Sequence, residues 1–263
     1  MEIRDQIGNT VTLKTTPKRI ISLVPSQTEL LYDLGLEDSI VGITKFCVHP
    51  FHAKSTKHKV GGTKNIKIEV IKALNPDIIL CNKEENTKEI VDACKTICAT
   101  HVSDIFNISD CLELITQYGE LFNKRTNASK IIDKINFNLN DFKAFIKNKP
   151  TLKVAYFIWR KPWMVAANNT FIDYLLELNN FENIYKNRER YPEIELKKIR
   201  LEGDPEIVML SSEPYPFKDE HAFEVGRVSH HAKTIFVDGE YFSWYGSRLI
   251  KAFDYFKALR NRL

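Results

Sequence analysis

Residues able to grip a flat ligand are concentrated in a few short segments of this chain. Phe46, Cys47 and His49 fall in one segment, and Thr63 and Lys64 in a second that begins Gly61-Gly62. Glu84 and Glu85 lie in a third. Further along come Trp159, Arg160, Trp163 and Met164, then Tyr191, then Glu213 and Tyr215, and finally Trp244, Tyr245 and Arg248. All 3 tryptophans of the chain belong to this set. Aromatic faces supplemented by a few polar groups hold a flat, rigid ligand well, because the rings supply apolar area and the polar groups fix orientation. The plain alternative for any one ring is that it fills its own core.

Other chemistries find less support. Cys47 and His49 could reach a single metal ion, yet no HExxH or paired CxxC pattern accompanies them, and His230-His231 has no spaced partner. No resident metal is therefore expected, and His49 is the one candidate to touch a metal carried inside an organic chelate. The GxSxG elbow, the GxxxxGK[ST] phosphate loop and the GxGxxG fingerprint do not occur. Glu84, Glu85 and Glu213 could form a carboxylate pair for acid/base work, but Lys83 and Arg160 nearby make ordinary ion pairs the duller explanation. A binding protein is expected, not an enzyme.

The elements that must position these residues alternate between strand and helix. Apolar runs at 19–24, 41–43, 77–80 and around Val102 read as strands, with helices over 26–35, 68–74, 87–96 and 109–122. In the first of these helices, Ser26 and Glu29 have the spacing of a capping box. A short hairpin turning at Gly8-Asn9 precedes them. From Asn127 to Lys147, Ile131, Ile135, Leu139, Phe142 and Ile146 fall on one helical face, so one helix of about 30 Å is expected there. The pattern then restarts, with strands at 152–159, 207–210 and 234–237 and helices at 170–178 and 247–262. Such alternation implies parallel sheets with crossover helices. The halves echo each other, since Ile68-Glu69 leading to Pro76-Asp77-Ile78-Ile79 resembles Ile194-Glu195 leading to Pro205-Glu206-Ile207-Val208. We therefore expect an α/β protein with an N-terminal lobe at 1–124, a connecting helix at 125–149 and a C-terminal lobe at 150–263, with a ligand cleft between the Rossmann-like lobes.

Composition narrows the partners. With 38 basic and 34 acidic side chains the net charge is +4, and no basic block interleaved with aromatics stands out, so a nucleic-acid partner is not expected. No apolar run approaches the ~18 residues of a membrane span. Residues 1–5 lack the pattern of a signal peptide, and 5 cysteines suit a reducing compartment. The sequence taken alone favours a cytoplasmic location if Met1 is the native start. Removal of a signal would make the protein periplasmic, or attached to the outer face of a membrane. A monomer is expected.

Specific segments resemble a known family. Pro17-Lys18-Arg19-Ile20-Ile21-Ser22-Leu23, Pro25-Ser26-Gln27-Thr28-Glu29-Leu30 and Ala73-Leu74-Asn75-Pro76-Asp77-Ile78-Ile79 stand in the order and spacing of the helical-backbone substrate-binding proteins of ABC transporters. These bind cobalamin, haem or iron–siderophores, and the chain is most similar to the cobalamin-binding branch. The resemblance implies a non-catalytic receptor for a metal chelate, with no cofactor of its own and an ABC permease as partner. It places Phe46, Tyr191 and Trp163 or Met164 where ring-contacting aromatics lie, and Thr63 where relatives carry another aromatic. Glu69 matches the acidic residue that docks the first lobe on the permease. The second docking position falls at Lys197 or Lys198, with Glu193 and Glu195 off register, a charge reversal that would oppose such docking. A cytoplasmic carrier or sensor of a corrinoid or other chelate is the alternative that this reversal and the thiols raise.

Overall fold

The computed structural model describes residues 1–263 and divides into two compact units. The first comprises 1–136 with 245–250, the second 137–244 with 251–263. The division falls inside the long helix, and a six-residue segment near the end of the chain belongs with the first unit, whereas sequence grouped 150–263 together.

The first unit opens with a hairpin of β1 (Glu2–Arg4) and β2 (Thr10–Thr12). Gly8, at φ 87°, makes the turn, and Asp5 anchors it by accepting hydrogen bonds from the Asn9 and Val102 backbone N–H groups at 2.7 and 3.2 Å. Next come β3 (Ile20–Ser22), α1 (Pro25–Asp33), β4 (Ile40–Ile43), α2 (Ala53–Thr56), β5 (His58–Lys59) and α3 (Ile68–Ala73). The unit continues with β6 (Ile78–Asn82), α4 (Lys88–Lys95), β7 (Ala99–Ser103), α5 (Ile108–Leu121) and the start of α6 (Arg125–Ile146). Its five strands are all parallel in the order β5-β4-β3-β6-β7. Ile21, Leu23, Ile79, Cys81 and Val102 pack from this sheet against Ile90, Val91 and Cys94 of α4.

The second unit carries β8 (Leu152–Trp159), β9 (Met164–Val165), α7 (Phe171–Leu178), β10 (Phe181–Asn183), β11 (Ile207–Ser211), α8 (Asp219–Ser229), β12 (Lys233–Val237), α9 (Gly239–Ser243) and α10 (Leu249–Arg262). Four strands run parallel in the order β10-β8-β11-β12, and β9 folds back antiparallel on β8. The α6 stripe is shared: Ile131 and Ile135 are buried in the first unit, Leu139, Phe142 and Ile146 in the second. There Phe142 meets Phe253 and Phe256 at centroid distances of 5.7 and 6.0 Å.

The sequence echo has a structural basis. Asp77, at the entry to β6, accepts hydrogen bonds from the Lys18 and Arg19 N–H groups just before β3, at 2.7 and 2.9 Å. Glu206, at the entry to β11, accepts one from the Lys153 N–H of β8 at 2.8 Å. In each unit a carboxylate following a proline thus fastens the start of the neighbouring strand.

The expected capping box does not form. Val24 is the N-cap residue of α1 without a side-chain bond, Pro25 opens the helix, and the Glu29 carboxylate instead meets Arg248. Sequence also missed α8 and α9. All five cysteines are free thiols.

Candidate functional site

In open parallel sheets ligands gather outside the carboxyl ends of the strands, at the point where the strand order reverses. In the first unit that point lies between β3 and β6, and a buried polar network fills it. Gln27 donates to Ser103 Oγ at 2.7 Å, to Tyr245 Oη at 3.0 Å and to the Cys81 carbonyl at 3.2 Å. Its own Oε1 accepts from the Tyr118 hydroxyl at 2.7 Å. Asn82 joins through Ser103 Oγ at 2.9 Å and accepts the Glu84 and Glu85 N–H groups at 2.9 and 3.1 Å. Burial pushes the Tyr118 and Tyr245 hydroxyls well above their ordinary range, so they stay protonated donors.

The neighbouring segment 245–250 is fastened by a charge pair. Arg248 donates to both Glu29 oxygens at 2.8 and 3.0 Å, and the two side chains are 7% and 12% exposed. Burial raises the Glu29 pKa, while Arg248 and then His49 oppose that rise. Tyr245 and Arg248, expected to touch ligand, are buried in the first unit and held in it by hydrogen bonds. Cys47 is buried as well. Its buried thiol lies 3.0 Å from the Thr28 hydroxyl and 3.3 Å from that of Thr44, and burial raises its pKa. His49 is half-buried, and no cluster of three or more metal-ligating side chains surrounds it or any other residue.

What the first unit offers at its surface is Phe46 with the loops beside it. The ring is 49% exposed and lies so close to Gly62 that a Cβ there would stand 3.1 Å from Cε2. Lys45 Nζ sits 4.9 Å from its centroid. The adjoining loops are tied together: Asn86 donates to the Thr63 carbonyl at 2.9 Å, and Lys64 to the Glu84 carbonyl at 2.5 Å.

The second unit presents rings instead. Trp159, at the carboxyl end of β8, is 39% exposed and meets Tyr215 edge-on at 5.5 Å. Tyr215 meets Phe217 at 4.8 Å, and Phe217 stacks on Trp163 at 5.9 Å with 9° between planes. Arg160 lies 5.7 Å from the Trp163 centroid and pairs with Glu224 at 2.6 Å, which raises its pKa. Met164, on β9, and Tyr191 are half-buried alongside, and the Arg190 guanidinium stands 5.9 Å from the Tyr191 ring. Sequence singled out Trp159, Arg160, Trp163 and Tyr215. It missed His221 behind them, which belongs to the unforeseen first turn of α8.

Trp244 and Glu213 are paired with each other. The Trp244 indole is buried and donates to Glu213 Oε1 at 2.8 Å, where Ser243 also donates at 2.6 Å. Burial raises the Glu213 pKa against these two donors. The carboxylate braces the junction of β11 with α9, and Gly239 must be glycine there, since a Cβ would stand 2.3 Å from Ser211 Oγ.

The expected docking residue Glu69 is 85% exposed on the first turn of α3 and pairs with Lys72 at 3.0 Å. Its echo in the second unit is Glu195, paired with Lys198 at 2.6 Å with the same three-residue spacing. Lys197 instead lines a shallow groove with Arg200, Leu201, Arg227 and His230.

Each unit carries an open parallel sheet, and α6 runs from the first unit into the second. The chain belongs to the periplasmic binding protein family, whose sequence profile matches residues 20–225, as the resemblance read from sequence implied. This is a family of binding proteins, not enzymes. YvrC of Bacillus subtilis, described as an uncharacterised ABC transporter substrate-binding lipoprotein, is 31% identical over 151 residues, 55% of this chain. That alignment spans about half the relative's length, 47%. A vitamin B12-binding protein of Vibrio parahaemolyticus is 26% identical over 211 residues, covering 77% of this chain and 74% of the relative. Among solved structures, the periplasmic haem-binding protein RhuT from Roseiflexus superposes with a TM-score of 0.82 at 14% identity, over 93% of this chain and 98% of that one, which shows a shared fold. No helix is long and apolar enough to cross a membrane.

Proposed function

We propose that the protein is the substrate-binding component of an ABC-type importer and takes a metal chelate, a corrinoid before haem or a ferric siderophore, on the loops at the carboxyl ends of its two sheets. The observation that carries this reading is the linked set Trp159, Tyr215, Phe217 and Trp163 in the second unit. Rings held edge-on and stacked against one another are fixed before the ligand arrives, so little side-chain entropy is lost on binding. Phe46, backed by Gly62, offers a ring from the first unit. The B12-binding relative supports the corrin side of the choice, and the haem-binding neighbour has only the fold in common. The metal arrives inside the ligand.

Glu69 is the docking residue we assign to the first unit, and Glu195 is a better counterpart in the second than Lys197 or Lys198. Glu195 reproduces the pairing with a lysine three residues on, and it stands immediately before a short 3-10 turn at Leu196–Lys198. An exported or lipid-anchored location follows from this role, in line with the lipoprotein relative. Titration calorimetry of the whole chain with cyanocobalamin, haemin and a ferric hydroxamate tests the reading. Tight one-to-one binding of one of them is expected, and failure of all three overturns it.

A further inference from the structure

Behind the exposed rings of the second unit lies a histidine whose proton can be located from its neighbours. His221 is 3% exposed, at the third position of α8. Its Nδ1 accepts the Lys218 backbone N–H at 2.8 Å. A ring nitrogen that accepts a hydrogen bond carries no proton, so the ring is neutral and its single hydrogen sits on Nε2. Two acceptors face that hydrogen, the Tyr215 hydroxyl at 3.1 Å and, further off, Glu220 Oε1 at 3.5 Å. Tyr215 therefore receives a hydrogen bond from His221. With His221 donating to its oxygen, Tyr215 directs its own hydrogen to another partner. The ring is half-buried beside the exposed Trp159.

We propose that the Tyr215 hydroxyl is an obligate hydrogen-bond donor to the ligand, its polarity fixed by His221, and that the ligand is a flat ring system bearing a peripheral acceptor, a carboxylate or amide carbonyl, over this corner. The inference rests on the proposed function and adds to it the sign of one polar contact. A site built to donate a hydrogen bond discriminates strongly against a ligand that lacks the acceptor, because the donor would then be left unpaired. His221 touches no ligand in this scheme and is a positioning residue.

The test is calorimetry on the full chain with cyanocobalamin and haemin, comparing wild type with Tyr215→Phe, together with 15N NMR of histidine-labelled protein. Tyr215→Phe keeps the ring and its packing, so its melting temperature should stay near that of wild type while the affinity for the bound probe falls roughly tenfold. The imidazole signals lost in His221→Gln should be those of a neutral ring protonated on Nε2. An unchanged dissociation constant for Tyr215→Phe, or a ring protonated on Nδ1, overturns this inference while leaving the proposed function standing. Binding of neither probe by wild type overturns this inference together with the corrinoid and haem forms of that function.

Discussion

The carboxyl ends of the two sheets solve the same topological problem in opposite ways. Both sheets are parallel, and both reverse strand order beside their first strand, β3 in one unit and β8 in the other. In the first unit the reversal point is filled by Gln27, Ser103, Asn82 and Tyr245, all buried and hydrogen-bonded to one another. In the second unit, polar residues sit lower, with Tyr156 donating to Ser211 Oγ at 3.1 Å, and partly exposed Trp159 and Tyr215 occupy the rim. A satisfied polar network specifies one conformation because every broken bond strands a buried group. An aromatic rim can accept different ring faces at modest cost. The first unit is therefore read as a rigid frame and the second as the main recognition surface, so substitutions should divide into those that move stability and those that move affinity.

The largest effect is expected at the pair holding 245–250. Arg248→Ala leaves Glu29 buried without its cation, and the cost of stranding one partner of such a pair is roughly 3–5 kcal/mol. Urea unfolding should show that loss. A change below about 1 kcal/mol would mean that the segment is only loosely held and that the frame reading is wrong. Gln27→Leu comes next. It removes four hydrogen bonds and strands the Tyr118 hydroxyl, for a loss of roughly 1–3 kcal/mol with ligand affinity unchanged. A Gln27→Leu protein of normal stability and weakened binding would reverse the assignment of the two ends.

On the other side of the comparison stands Trp159→Ala. With 39% of the residue exposed, truncation should cost about 1 kcal/mol of stability or less, whereas affinity for the bound chelate should fall about tenfold or more. Calorimetry and thermal melting on the same sample separate the two quantities.

Acid titration sharpens the contrast without any ligand. His101 is buried in the first unit with Nε2 2.7 Å from Gln117 Oε1, and burial lowers its pKa below the usual 6.5. The unfolded chain then binds the extra proton first, so this group's contribution is intact above about pH 6.5 and is lost as pH falls towards the lowered folded value. Glu213 in the second unit has the opposite sign. Its raised pKa makes the folded state hold the proton, so its unfavourable contribution appears as pH rises above the usual 4.5. His101→Gln should therefore flatten the loss of stability as pH falls below 6.5. An unaltered slope would show that His101 does not control it.

Much of this frame was legible in the sequence. Ile78 to Asn82 and Leu152 to Trp159 are apolar runs of the kind only a doubly covered parallel strand needs, and the α6 stripe has the helical period over its whole length. What failed depended on distance along the chain. Ser26 and Glu29 have ideal spacing for a local cap, but Glu29 is claimed by Arg248, 219 residues away, and no local rule anticipates that partner. Tyr245 and Arg248 were grouped with the C-terminal lobe for the same reason, since a local pattern does not say which unit a segment will join. The start of α8 was hidden by Pro214 and Pro216, which read as a loop and left His221 without a role.

The smallest expected effect is the one that tests the division most closely. Phe46 belongs to the rigid unit yet lies on its surface, 49% exposed, with one edge against Gly62 and Lys45 above it. Phe46→Ala removes little that is buried, so stability should change by no more than about 0.5 kcal/mol. If the first unit contributes only a frame, affinity is unchanged as well. If this ring completes the grip on the chelate, affinity falls severalfold, less than at Trp159, because a single ring over glycine has no aromatic neighbour to hold its plane. The second outcome is expected, since an exposed phenylalanine with only one edge against a glycine contributes little to folding and is well placed to contribute to binding.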